Sequence, residues 1–124
     1  MQRLPIASLI LFAALMTGTP LVNAQSTDHE YLVRAGREVC IVTLQNAGRE
    51  GAEALIRYQM TADQMCSCMG RFYATYFIGR GAEVSSWFAE LARDPRGGAW
   101  SKLTAPMREI SRLCVAEIFR SRGS

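Results

Sequence analysis

Residues 61–77 have the sequence TADQMCSCMGRFYATYF and carry the clearest structural pattern of the chain. Thr61 and Gln64 stand three residues apart, which is the spacing of a capping box, so a helix begins here. Apolar side chains then recur every three or four residues and fall on one face of that helix, namely Met65, Met69, Phe72, Tyr73, Tyr76 and Phe77. Because such a helix buries one side, the segments before and after it are expected to pack against it.

The flanking segments also have helical periodicity. We expect helices over residues 30–45, 49–59, 82–93 and 104–120, separated by glycine, asparagine and proline. The side chains expected to turn inward are Leu32, Val39 and Cys40 on the first, Leu55 and Ile56 on the second, Val84, Trp87, Phe88 and Leu91 on the next, and Met107, Ile110, Cys114 and Ile118 on the last. No segment alternates as a strand does. The pattern predicts an all-α fold, a small bundle of four to five short helices, in a single helical domain over residues 30–121 with a tail at 122–124.

The N-terminus has the three parts of a secretory signal peptide, which we place at residues 1–24. One arginine is followed by an apolar run over residues 9–16, and residues 17–20 then break the helix. That run is shorter than the roughly 20 apolar residues that cross a bilayer, so cleavage after Ala24 is favoured over an uncleaved anchor. The polar residues 25–29 are expected to form a disordered arm. The protein is therefore predicted to be periplasmic or secreted, with no membrane span in the mature chain.

Composition limits the classes of partner. Cleavage after Ala24 would leave 100 residues (124 − 24), with 13 basic residues against 11 acidic ones. Lys102 is the only lysine, and the arginines are scattered rather than clustered between exposed aromatic residues, as a nucleic-acid site would have them. We therefore expect no nucleic-acid partner. Arg120 and Arg122 form a small basic tail that suits either a helix C-terminus or an anionic surface.

The four cysteines, Cys40, Cys66, Cys68 and Cys114, are an even number in a chain predicted to be exported, where cysteines are normally oxidised. Cys66 and Cys68 lie about 200° apart around their helix, on opposite shoulders of the apolar face. Their Cβ atoms diverge, against the geometry of a disulfide between them. Each is therefore expected to pair with one of Cys40 and Cys114. Whether Cys40 pairs with Cys66 or with Cys68 stays open, because the helical positions suit both. Two disulfides would then link the bundle.

Two chemical alternatives involve the same segment. Met65, Cys66, Cys68 and Met69 offer thiolate and thioether ligands, which suit Cu(I). On a continuous helix, however, the two thiols diverge and the methionines belong to the core, so we expect no metal and no cofactor. A thiol-redox role is the other alternative, because Cys66 stands close to the helix start at Thr61, where thiol pKa values are lowered.

No catalytic group stands out, since the only histidine, His29, lies in the predicted arm. We therefore expect no enzyme but a non-enzymatic module that binds a protein or envelope partner. Trp100, beside a glycine loop, is the candidate for an exposed interface anchor, with a lid over the core as the alternative. The layout of one early cysteine, a Cys-x-Cys pair in a central helix and one late cysteine resembles small exported helical proteins of bacteria. Periplasmic immunity proteins and acid-stress chaperones are comparable in size and helicity, but no motif matches them residue by residue, so no functional position is carried over.

Overall fold

The structure is a computed structural model, which describes the backbone over residues 21–123 and the side chains from Thr27 onward. Most of the predicted signal peptide lies outside the described residues. Within them the chain forms six α-helices, α1 Leu21–Ala47, α2 Arg49–Arg57, α3 Ala62–Tyr76, α4 Gly81–Arg93, α5 Ala99–Thr104 and α6 Met107–Gly123. No residue of this part is assigned to a strand, and the prediction of a small all-α bundle is confirmed. No helix in residues 21–123 combines the length and the apolar character of a bilayer span.

The central helix is α3, which packs along α1 on one side and against α6 on the other. The capping box predicted at its start is present. The Thr61 hydroxyl accepts from the Gln64 amide at 3.0 Å, and the Thr61 amide donates to the Gln64 side chain at 2.9 Å. Two of the amides that a helix N-terminus leaves without partners are thereby satisfied, which explains why α3 begins at Ala62.

Glycines bring the backbones of α1 and α3 together. A Cβ atom on Gly70 would lie 2.6 Å from the carbonyl oxygen of Val33, and one on Gly36 would overlap the Cβ atom of Tyr73. Both positions therefore exclude any side chain at the present helix separation. The Tyr73 ring beside them is fully buried, and its hydroxyl donates to the carbonyl oxygen of Leu103 at 2.8 Å. Burial, with a smaller contribution from Tyr31, raises the pKa of the Tyr73 phenol above its usual range.

The predicted disordered arm over residues 25–29 is the first point at which the structure differs from expectation, because these residues lie within α1. The Asp28 carboxylate accepts from the amides of Gly79 at 3.0 Å and Gly81 at 2.8 Å. Asp28 therefore caps the start of α4 from another helix, a contact that no local pattern can show. His29, in the same segment, is exposed on α1.

Two side chains expected to turn inward are exposed. Ile56 on α2 is 74 % exposed, whereas its neighbour Leu55 is partly buried. The short helix α2 faces α1 through Gly51, whose Cβ position is 3.0 Å from the carbonyl oxygen of Leu44, so only one narrow side of α2 is covered. Tyr76 is 54 % exposed because α3 ends there, and its ring meets the edge of Phe77.

The segment before the last helix also differs. A short helix, α5, forms over Ala99–Thr104 where a loop was expected, and the last helix begins at Met107 rather than near residue 104. Ala99 and Leu103, four residues apart, are both fully buried. Burial of this one face against α4 stabilises a helix too short to persist alone. The expected tail at residues 122–124 differs as well, since α6 extends to Gly123.

Candidate functional site

The four cysteines form two disulfides. Cys40 is bonded to Cys66, with Cα atoms 5.4 Å apart, and Cys68 is bonded to Cys114, with Cα atoms 5.8 Å apart. The predicted attachment of α3 on both shoulders is confirmed, and Cys66 is the partner of Cys40. No cysteine of residues 21–123 is free. The first bond joins α3 to α1 and the second joins α3 to α6.

This pairing bears on the Cu(I) alternative. The sulfurs of Cys66 and Cys68 belong to different disulfides, so neither is a thiolate ligand in the oxidised protein. Met65 and Met69 are buried in the core cluster. Among the described residues, no group of three or more histidine, cysteine, aspartate or glutamate side chains could hold a metal ion. In this segment Met65 and Met69 therefore pack in the core, and Cys66 and Cys68 link α3 to its neighbours.

Trp100, the predicted interface candidate, lies on α5 and is partly buried against the core cluster. Its neighbours Ala99 and Leu103 are fully buried. Trp100 therefore covers the core, which is the second of the two roles considered for it, rather than standing out as an exposed anchor.

A surface groove that the sequence analysis did not identify lies between the C-terminal half of α1, α2, α3 and α6, with a volume of about 440 Å³. Apolar side chains dominate its walls, and the only charged residue among them is an arginine. We call it the apolar groove, lined by Leu44, Ala54, Leu55, Tyr58, Met65, Ser111, Arg112, Val115 and Ala116. Its residues come from four helices, so it exists only in the assembled bundle.

The face of α6 beside this groove is basic and apolar. Its side chains are spaced by four and three residues alternately, which puts them on one side of a helix, and they are Arg108, Arg112, Val115, Phe119 and Arg122. We call this set the basic face. It contains three arginines and no carboxylate, because Glu109 and Glu117 occupy other sides of the helix. This spacing is the signal by which the sequence could have located the site.

Aromatic and cationic contacts extend the apolar groove at its Tyr58 end. The rings of Tyr58 and Phe119 are 6.0 Å apart between centroids, and Phe119 is still 45 % exposed. The Arg122 guanidinium lies 5.5 Å from the Phe119 ring centroid and donates to the carbonyl oxygens of Tyr58 and Gln59. These bonds hold Arg122 in place beside the rings of Tyr58 and Phe119, which we call the aromatic edge.

Arg112, which also lines the groove, pairs with Glu109 at 2.7 Å one helical turn away. The two side chains are 72 % and 61 % exposed, and ion pairs at such exposure contribute little to stability. The Arg112 guanidinium can therefore exchange this carboxylate for one on a bound molecule at small cost.

A second, smaller and more polar depression lies between α3 and α6, with a volume of about 290 Å³. We call it the disulfide cleft, lined by Gln64, Ser67, Cys68, Arg71, Glu117, Ile118, Ser121 and Arg122. The Oε2 atom of Glu117 lies 3.6 Å from the Sγ atom of Cys68 and accepts from Arg71 at 2.9 Å. A carboxylate held by an arginine therefore contacts one sulfur of the Cys68–Cys114 disulfide.

Comparison of the chain with protein-family models, with curated proteins and with solved structures found no match.

Proposed function

We propose that the protein is a non-enzymatic binding module of an oxidising compartment, periplasmic or extracellular, and that its apolar groove binds an amphipathic acidic segment of a partner protein. The observation that carries this proposal is the juxtaposition of the apolar groove with the basic face of α6. The two disulfides support the compartment, since such bonds persist where thiols are oxidised.

The lining of the groove favours an apolar occupant. Leu44, Leu55 and Val115 are only partly buried in the isolated chain, and each packs against the core cluster from the side of the groove. Covering them removes apolar surface from water at roughly 25 cal/mol per Å². Concave apolar walls with a few placed polar groups are typical of binding sites.

The charge around the groove favours an acidic occupant. Arg108, Arg112 and Arg122 share the basic face, and the Glu109 carboxylate is bound to Arg112 through an exposed ion pair. A partner with glutamate or aspartate beside its apolar side chains would offer the arginines charge-assisted hydrogen bonds. Opposite charges also raise association rates and exclude basic competitors.

The shape favours a peptide segment over a membrane surface. A planar bilayer cannot follow a groove whose walls come from four helices, whereas a helical segment can place side chains at intervals of three and four residues into it. The aromatic edge formed by Tyr58 and Phe119 adds the kind of anchor on which interfaces depend.

The test uses two labelled synthetic peptides, one with leucines on one helical face and glutamates on the other, and one with lysines replacing the glutamates. Fluorescence anisotropy with the oxidised protein measures both dissociation constants. The acidic peptide is expected to bind at least about tenfold more tightly, which is about 1.4 kcal/mol. Val115→Glu should abolish the binding, and Arg112→Glu should remove the preference for the acidic peptide.

The matched control is Arg96→Glu, which makes the same charge change in the loop between α4 and α5, away from the groove. Equal affinity for the two peptides would overturn the proposal. So would equal loss of binding in Arg112→Glu and Arg96→Glu. Binding to anionic lipid vesicles that Val115→Glu leaves unchanged, without peptide binding, would assign the basic face to a membrane instead.

A further inference from the structure

We propose that the Cys68–Cys114 disulfide is a thiol–disulfide exchange site for small dithiols, in which Cys68 is the sulfur attacked and Glu117 accepts a hydrogen bond from the reduced Cys68 thiol. The proposal concerns the disulfide cleft between α3 and α6, which has none of the lining residues of the apolar groove and shares Arg122 with the basic face.

The first observation is access. Cys68 lines the disulfide cleft, whereas neither Cys40 nor Cys66 lines that cleft or the apolar groove. Exposure itself does not distinguish the bonds, since Cys40 is 2 % exposed and Cys66 and Cys68 are each 1 % exposed, so the difference is that Cys68 lies at the floor of a cleft. A reagent must enter the cleft to reach it, which selects a small dithiol over the reactive cysteine of another folded protein.

The second observation is the position of Glu117. The sulfur of a disulfide carries no proton, so the 3.6 Å contact between Cys68 Sγ and Glu117 Oε2 is not a hydrogen bond in the oxidised protein. After reduction the Cys68 sulfur carries a proton and can donate it in a hydrogen bond to the neighbouring carboxylate. The contact therefore favours the reduced state over the oxidised one, since hydrogen bonds to a charged group are the stronger kind.

The third observation is that Glu117 is held in place. Arg71, one turn further along α3 than Cys68, donates to the same carboxylate oxygen at 2.9 Å. This bond fixes Oε2 beside the sulfur. Among residues 27–123, no carboxylate makes a comparable contact with the sulfur of Cys40 or Cys66, so the two disulfides differ in their chemical surroundings.

The exchange balances with a dithiol as reductant. One thiolate of the dithiol attacks Cys68 Sγ, the S–S bond breaks, and Cys114 leaves with the electron pair and takes a proton. The second sulfur of the dithiol, as a thiolate, then attacks the first dithiol sulfur, which is bonded to Cys68 in the mixed disulfide. Cys68 leaves as a thiolate. The two protons given up by the dithiol are taken up through solvent by Cys114 and Cys68, and the Cys68 thiol then donates a hydrogen bond to Glu117.

The test is equilibration of the oxidised protein with graded ratios of reduced to oxidised dithiothreitol. Free thiols are then trapped by alkylation, and peptide mapping by mass spectrometry quantifies each disulfide separately. Cys68–Cys114 is expected to be half reduced at a ratio at least about tenfold lower than Cys40–Cys66, which corresponds to about 30 mV. Half reduction of both at one ratio, or of Cys40–Cys66 first, would overturn the proposal.

Glu117→Gln tests the role of the carboxylate, because it retains a hydrogen bond acceptor but removes the charge. The variant should narrow the difference between the dithiothreitol ratios at which the two disulfides are half reduced. Glu90→Gln, on α4, which carries no cysteine, is the control and should leave that difference unchanged. Identical behaviour of the two variants would refute the assignment to Glu117. Circular dichroism of each oxidised variant shows whether it is folded. The comparison of the two disulfides in the wild-type protein does not depend on any variant.

Discussion

The two sides of α3 are each joined to a neighbouring helix by a disulfide, yet they pack differently. Toward α1, Gly36 and Gly70 allow the backbones to touch, and the Cys40–Cys66 bond lies inside this contact. Toward α6, the Cys68–Cys114 bond lies beside the disulfide cleft. A helix can therefore present one side whose fit excludes any added atom and another side that leaves space for polar groups and small molecules. Both proposed sites include residues of α6, the helix on the more open side.

The largest expected effect comes from removing either disulfide. Cys68→Ala with Cys114→Ala opens a loop of 46 residues and should cost about 4 kcal/mol, while Cys40→Ala with Cys66→Ala opens one of 26 and should cost about 3.5 kcal/mol. Urea denaturation of both double variants measures the difference. A clearly larger loss for the shorter loop would mean that the close α1–α3 packing itself depends on its disulfide.

A smaller but localised loss is expected for Gly70→Ala. The new Cβ atom would lie 2.6 Å from the Val33 carbonyl oxygen, a backbone atom that cannot rotate away, so α1 and α3 must separate. Overpacking of this kind costs about 2 to 3 kcal/mol, against the roughly 0.5 to 1 kcal/mol by which alanine otherwise stabilises a helix interior. Thr75→Ala, at an exposed position of α3, is the control in the same urea experiment. A stabilised Gly70→Ala variant would show that the two helices separate freely.

The smallest effect is expected on the α6 side. Arg71→Ala removes the 2.9 Å ion pair with Glu117, but the arginine side chain is 58 % exposed, so the free energy of unfolding should fall by less than about 1 kcal/mol. Thermal unfolding followed by circular dichroism checks this. A loss as large as that for Gly70→Ala would remove the distinction between the two sides of α3.

Helix α3 shows which features can be predicted from residues that are close in sequence. Its start, its capping box and the divergence of Cys66 and Cys68 all follow from residues within a few turns of one another, and each was predicted. The Asp28 cap on α4 and the helix α5 were not, because each depends on a partner far away in sequence or on burial against another helix. The prediction that Ile56 turns inward was wrong for the same reason, since the periodicity of α2 does not show how much of this helix a neighbour covers.

The sequence by itself determined that the chain is helical, where α3 begins, and that its two cysteines must join different neighbours, because these properties depend on backbone hydrogen bonds and on the turn of one helix. Only the tertiary structure decided that Cys40 takes Cys66. The alternative pairing would lengthen each loop by two residues, and loop entropy hardly distinguishes such lengths. The apolar groove and the contact of Glu117 with Cys68 are likewise tertiary, since each needs side chains from separate helices to meet.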